Sequence, residues 1–267
     1  MTDTTTTASP TAMAPATEGR RVSPRVAVLI SETRLFFREP ANLFWIIVFP
    51  SLILVILGCV PMFREENDDL GGLRLIDIYV PIAVLVAQIV AGIQAMPPTL
   101  TGYRERGILR RMSTTPARPS TLLAVQMLLN SALAVLSALL VITVGRLVFS
   151  VDLPSHVGGY AVGLLLATAA CLATGALVSA LASTSRYAAG FASAIFFPAL
   201  FCVGVWIPVR SMPDTLANVV ELTPFGAAAS ALEQAAAGGW PDWSLLGTLV
   251  AWAVVLTAAA IRWFRWE

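Results

Sequence analysis

Apolar positions in this chain gather into six long runs, at residues 43–60, 78–96, 122–149, 157–181, 188–205 and 245–263. Each is near the ~20 residues that an α-helix needs to cross the hydrocarbon of a bilayer. The third is longer, so it tilts or projects beyond the lipid. Ahead of the first run, residues 24–39 carry a different pattern. Val26, Leu29, Ile30, Thr33, Phe36 and Phe37 recur at steps of three and four, with Arg25, Glu32, Arg34, Arg38 and Glu39 filling most of the rest. Ser23-Pro24 offers an N-cap with proline at the first helical position. This stretch is too short and too charged to span. It predicts an N-terminal interfacial amphipathic helix in the headgroup plane, which Pro40 ends as the chain turns into the bilayer. Residues 1–22 are rich in Thr, Ala and Pro without apolar periodicity, and predict a disordered tail rather than a signal peptide.

Breaks and polar positions refine the runs. Pro50 predicts a kink in the first, and Pro97-Pro98 a bend where the second leaves the membrane. Gly159 and Gly163, then Gly175, Ser179 and Ser183, form ladders of small residues on the fourth run. These allow close helix approach, either within the chain or at a homodimer seam. Gln88, Gln94, Gln126 and Asn130 are polar positions inside spans. They are read as interhelical hydrogen-bonding groups, with a functional role as the alternative.

Between the second and third runs lies a short cationic stretch, residues 103–120, with Arg104, Arg106, Arg110, Arg111 and Arg118 against Glu105. On a helix, Arg106 and Arg110 are i,i+4 neighbours, and Ile108, Leu109 and Met112 give an apolar side. Thr114-Thr115-Pro116 would end that helix. Pattern alone permits two readings: a positive anchor at the cytoplasmic surface, or a docking helix for a soluble partner.

Composition makes the membrane the solvent. The 267 residues are 57% hydrophobic and 12% charged, with mean hydropathy +0.78, against about a quarter charged in a soluble domain. All 17 basic residues are arginine. Without lysine the chain cannot supply the P-loop lysine for a nucleotide, so any ATP is bound by another polypeptide. With six spans, thirteen of the 17 arginines fall on the face of the N-terminus, making that face cytoplasmic and both termini internal. A five-span alternative would place Arg262 and Arg265 outside, against the same rule. Cys59, Cys171 and Cys202 sit in apolar runs and read as packing residues. His156 lacks partners for a metal site. A membrane-embedded enzyme would need a nucleophile–base pair. Gly190-Phe191-Ala192-Ser193 is not a nucleophile elbow; a membrane-embedded enzyme stays as one alternative class, and a passive channel or structural anchor as another.

Glu105-Arg106-Gly107-Ile108-Leu109-Arg110-Arg111-Met112, followed by Thr115-Pro116, resembles a segment of ABC-2 type transporter permeases of the drug-exporter-like branch. So does the order FFPALFCVGVW (196–206), Ile207-Pro208, Ser211-Met212-Pro213, Glu221-Leu222-Thr223-Pro224-Phe225 and Gly238-Gly239. This chain departs from the family in carrying Thr223 where an asparagine is usual and Glu233 where a basic residue is common. It also has Pro81-Ile82 where the second span usually opens with Pro-Gly.

The resemblance implies an all-α integral membrane fold of six transmembrane helices. Residues 23–267 would form the permease domain, with short re-entrant helices at 211–240 between spans five and six. It implies a coupling segment at 103–120, in which Glu105, Arg106, Arg110 and Arg111 make charged contacts and Ile108, Leu109 and Met112 an apolar plug. It also implies a separate ATP-binding subunit carrying ATP and Mg, with no cofactor on this chain. A second copy of the chain or a similar permease, a bacterial plasma membrane and no nucleic-acid partner complete the expectation. The cargo expected is a hydrophobic drug, antibiotic or lipid, with a lipid-linked glycan as the alternative.

Overall fold

The computed structural model describes residues 24–67, 72–108 and 119–263. The expected tail at 1–22 lies outside them. Among the described residues the chain is a helical bundle. A first helix, α1 (Pro24–Phe36), precedes the spans α2 (Pro40–Gly58), α3 (Leu75–Glu105), α4 (Pro119–Phe149), α5 (Val157–Leu181) and α6 (Ser185–Val203). Two shorter helices, α7 (Asp214–Glu221) and α8 (Pro224–Ala236), lead to the sixth span, α9 (Trp243–Trp263). All six spans are long and apolar enough to cross a membrane, so the expected all-α membrane fold stands. One small feature was not foreseen: β1 (Glu66–Asn67) pairs antiparallel with β2 (Leu73–Arg74) between α2 and α3.

The spans are not equivalent. In its most apolar stretch α3 is 94% buried, against 22% for α6 and for α9, so α3 is the axis and the others form its wall. Its tightest neighbour is α5. A Cβ on Gly175 would lie 1.8 Å from the carbonyl oxygen of Gly92, and one on Gly92 would lie 2.6 Å from the backbone of Cys171. Two backbones meet there with no side chain between them. The glycine ladder of α5 therefore serves packing within the chain: Gly163 faces Leu232 and Ala231 of α8, and a Cβ on Gly159 would strike Pro241. A Gly175→Val variant is expected to lose about 3 kcal/mol of stability, since overpacking here displaces backbone rather than a side-chain tip. Thermal denaturation in detergent measures this, and an unchanged midpoint would refute the close crossing.

Several polar residues inside the spans are turned inward and tie helices together. Gln88 on α3 donates from Nε2 to the Ala134 carbonyl of α4 (3.0 Å) and accepts from Thr168 Oγ1 of α5 (2.7 Å), tying three helices together. Tyr79 donates its hydroxyl to the Val205 carbonyl (3.0 Å), just past Gly204, whose φ of +90° ends α6 in a left-handed turn. His156 caps α5, its Nδ1 accepting from the Gly159 amide at 2.9 Å. Thr223 caps α8 by accepting from Gly226 N at 3.1 Å. The threonine hydroxyl supplies the oxygen that an N-cap needs. The small residues Ala227, Ala228, Ala231 and Ala235 are buried, letting α8 lie close against α5 and α9.

At the start of α3, Arg74 and Asp77 close a capping box and pair at 2.7 Å. Arg74 Nη1 also donates to the Phe149 carbonyl at the end of α4 (3.1 Å).

Candidate functional site

The arginine-rich end of the bundle is built around the tail of α3. Pro97-Pro98, where the sequence predicts a bend, lies within a helix that continues past both rings. The helix widens into a π segment at Val90–Ala95 and then runs on as an α-helix to Glu105. A wider turn leaves room for rings that lack an N–H. Threonine hydroxyls fill in locally: Thr99 donates to the Ala95 carbonyl (3.0 Å) and Thr101 to that of Pro97 (2.8 Å). α3 ends at Glu105, and the Thr114-Thr115-Pro116 signal lies outside the described residues. Gly107 takes φ +65° and its amide donates to the Arg104 carbonyl (2.9 Å), closing the end of α3. The expected i,i+4 relation of Arg106 to Arg110 lies outside the described residues at its second member.

Of the predicted docking residues, Glu105, Arg106 and Ile108 are described. Leu109, Arg110, Arg111 and Met112 lie outside the described residues. Glu105 is exposed, yet its carboxylate is engaged within the chain: it accepts from the Ser185 amide (3.1 Å) and the Ser185 hydroxyl (2.7 Å), capping the start of α6. Its neighbour Arg104 reaches the other side of the same turn. Its Nη1 donates to the Ala182 carbonyl (2.8 Å) and its Nη2 to that of Ser179 (3.0 Å), closing the C-terminus of α5. A cation at a helix C-terminus and an anion at a helix N-terminus both match the helix dipole. Two consecutive residues thus grip both ends of the α5–α6 turn. Arg106 lies over the Tyr103 ring, 5.6 Å from its centroid, and donates from Nε to the Gly102 carbonyl (3.1 Å). Ile108 packs on Tyr103 and Leu122.

A fourth element joins from α1. Glu32, only 8% exposed, accepts from the Tyr103 hydroxyl (2.8 Å) and from Gln126 Nε2 of α4 (2.5 Å). Asn130 Nδ2 extends the cluster, donating to the Gln126 carbonyl at 2.9 Å. Sequence reasoning missed Glu32 by placing it on the polar side of α1. The opposite holds: Val26, Ile30 and Phe37 are exposed, while Glu32 and Phe36, four residues apart, are buried. Gln126 and Asn130, themselves one turn apart within a span, were the available signal that a polar partner was needed.

Two recesses lie elsewhere. An apolar crevice of about 110 Å³ opens between α2, α3 and α6, walled by Phe49, Ile53, Leu57, Ile82, Phe196 and Leu200. At the opposite end from the arginines is a bowl of about 730 Å³ containing Glu66, Asp77, Asp214, Glu221 and Glu233, with Arg74 and Arg210. Glu233 stands 3.3 Å from Arg210. Burial raises its carboxyl pKa above the ordinary range, Arg210 opposes the shift and Glu221 adds to it. Glu233 on α8 thus faces a base on the short turn Val209–Ser211. Among the described residues no cluster of His, Cys, Asp and Glu has the grouping to hold a metal ion.

The profile of the ABC-2 type transporter family matches residues 26–236. No curated protein matches the chain.

Proposed function

Since the chain belongs to the ABC-2 type transporter family, and is by that membership the permease subunit of an ABC transporter, we propose that it exports a hydrophobic or amphipathic substrate, driven by a separate ATPase subunit docked on residues 105–112. The observation carrying this reading is the anchoring of the α3 tail. Arg104 and Glu105 bind the α5–α6 turn, and Tyr103 binds Glu32, so displacement of the segment that follows reaches α1, α5 and α6 together. A segment serving only as a positive anchor would need none of these contacts.

The wall chemistry supports an apolar cargo. The buried amides of Gln88 and Gln126 are engaged within the chain, and the crevice between α2, α3 and α6 is lined by aliphatic and aromatic groups. Two copies of the chain would pair with two ATPase subunits, the sparsely buried α2, α6 and α9 offering faces for lipid and for the second copy. The arginine-rich end would face the cytoplasm, and the acidic bowl would open outside.

The test is reconstitution of the chain with its ATPase in inverted vesicles. A hydrophobic rhodamine dye should accumulate only with hydrolysable ATP, and a panel of apolar compounds should stimulate hydrolysis. Uphill movement without a nucleotide-hydrolysing companion would overturn the proposal, as would labelling of the arginine-rich end from outside the cell.

A further inference from the structure

Glu32 is an unusual group to bury. Its carboxylate sits at 8% exposure on a helix that precedes the first span, and among the described residues no cation forms an ion pair with it. A carboxylate removed from water without a cation persists only where hydrogen bonds hold it. Here both donors converge on a single oxygen, Oε2: the Tyr103 hydroxyl from α3 and the Gln126 amide from α4. Phe36, one turn further along α1, is buried in the apolar cluster that holds Ile46 of α2 with Ile82 and Val86 of α3. The inward side of α1 therefore has one apolar and one polar attachment. The polar one ends on Tyr103, two residues before Glu105 and directly beneath Ile108 and the Arg106 guanidinium. Apolar contact can slide along a helix, whereas a two-donor bond fixes register and distance.

We propose that Glu32 is a positioning residue for transport: it pins α1 to the tail of α3, so that α1 and the docking segment move as one body when the ATPase closes. This rests on the docking reading above. The carboxylate acts through its acceptor oxygen, with Tyr103 and Gln126 as its partners. α1 is then part of the drive train as well as a float on the membrane surface.

The first arm of the test uses the chain alone in nanodiscs, without any ATPase. Hydrogen exchange in α1 should speed up about tenfold in Glu32→Ala and in Tyr103→Phe, the loss of one charge-assisted hydrogen bond or more. Glu32→Gln keeps an oxygen for both donors and should exchange like the unaltered chain. The second arm uses the reconstituted complex and reads cargo moved per ATP hydrolysed. That ratio should fall about tenfold in Glu32→Ala, recover in Glu32→Gln, and fall no further when Glu32→Ala and Tyr103→Phe are combined. A purely structural loss would lower transport and hydrolysis together and leave the ratio unchanged.

Unchanged exchange in Glu32→Ala overturns the pin. Faster exchange with an unchanged ratio overturns its role in transport. A Glu32→Gln variant as impaired as Glu32→Ala overturns the acceptor-oxygen account. If the unaltered chain fails to bind an ATPase while the exchange results hold, the docking reading falls and the pin stands.

Discussion

Arg104→Ala is expected to lower ATP-driven transport about a hundredfold while the chain still inserts and still binds its ATPase. Arg104 Nη1 and Nη2 serve the carbonyls of Ala182 and Ser179, at the C-terminus of α5. Those carbonyls lack intrahelical donors and carry the negative end of the helix dipole. Hydrogen bonds from a charged donor contribute about 1.5–3 kcal/mol each, and a hundredfold loss is ~2.7 kcal/mol, so one such bond suffices. Arg104→Lys should recover only part of this, since an ammonium is a point donor and cannot fork across two carbonyls. Glu105→Gln should be milder still, because an amide oxygen can go on accepting from Ser185. Vesicle transport assays alongside thermal denaturation separate the effects, and normal transport by Arg104→Ala would sink the idea that the α5–α6 turn is driven through the α3 tail.

These contacts show where sequence and structure part. Span positions were legible because length and apolarity alone define them: residues 157–181 were read from the sequence with the ends the structure gives, and 122–149 with the C-terminal end of α4. Rotation of each span was not legible. In lipid both the buried and the outward faces are apolar, so the periodic contrast that orients a helix in water is missing. The inward faces were marked only by exceptions, namely Gly175 and by the amides of Gln88, Gln126 and Asn130, and each of these does point inward. The extent of α3 was misjudged because Pro97-Pro98 reads as a break, and nothing in local propensity announces the π segment before it that absorbs both rings. Glu32 was misplaced for the opposite reason. On an amphipathic helix a charged residue is assigned to the wet face by default, and only its tertiary partners Tyr103 and Gln126 reverse that. Nothing in the sequence signalled that Glu105, read as a contact for a partner, is also held by Ser185 within the chain.

With Glu105 engaged by Ser185 and Arg106 over the Tyr103 ring, the proposed charged contacts with an ATPase fall on Arg110 and Arg111, which lie outside the described residues. Arg110→Glu is therefore expected to abolish co-purification of the ATPase while leaving membrane insertion and the thermal midpoint unchanged. Reversing one charge of a partly buried ion pair both removes an attraction and leaves a like-charge contact, a loss of ~3 kcal/mol or more and thus at least a hundredfold in affinity. Glu105→Arg provides the contrast. It should disturb the α5–α6 turn and lower the thermal midpoint, yet leave more of the partner bound than Arg110→Glu does. Affinity pull-down from solubilised membranes measures both. Normal pull-down and normal transport by Arg110→Glu would remove the docking role from this segment and return it to a simple positive anchor.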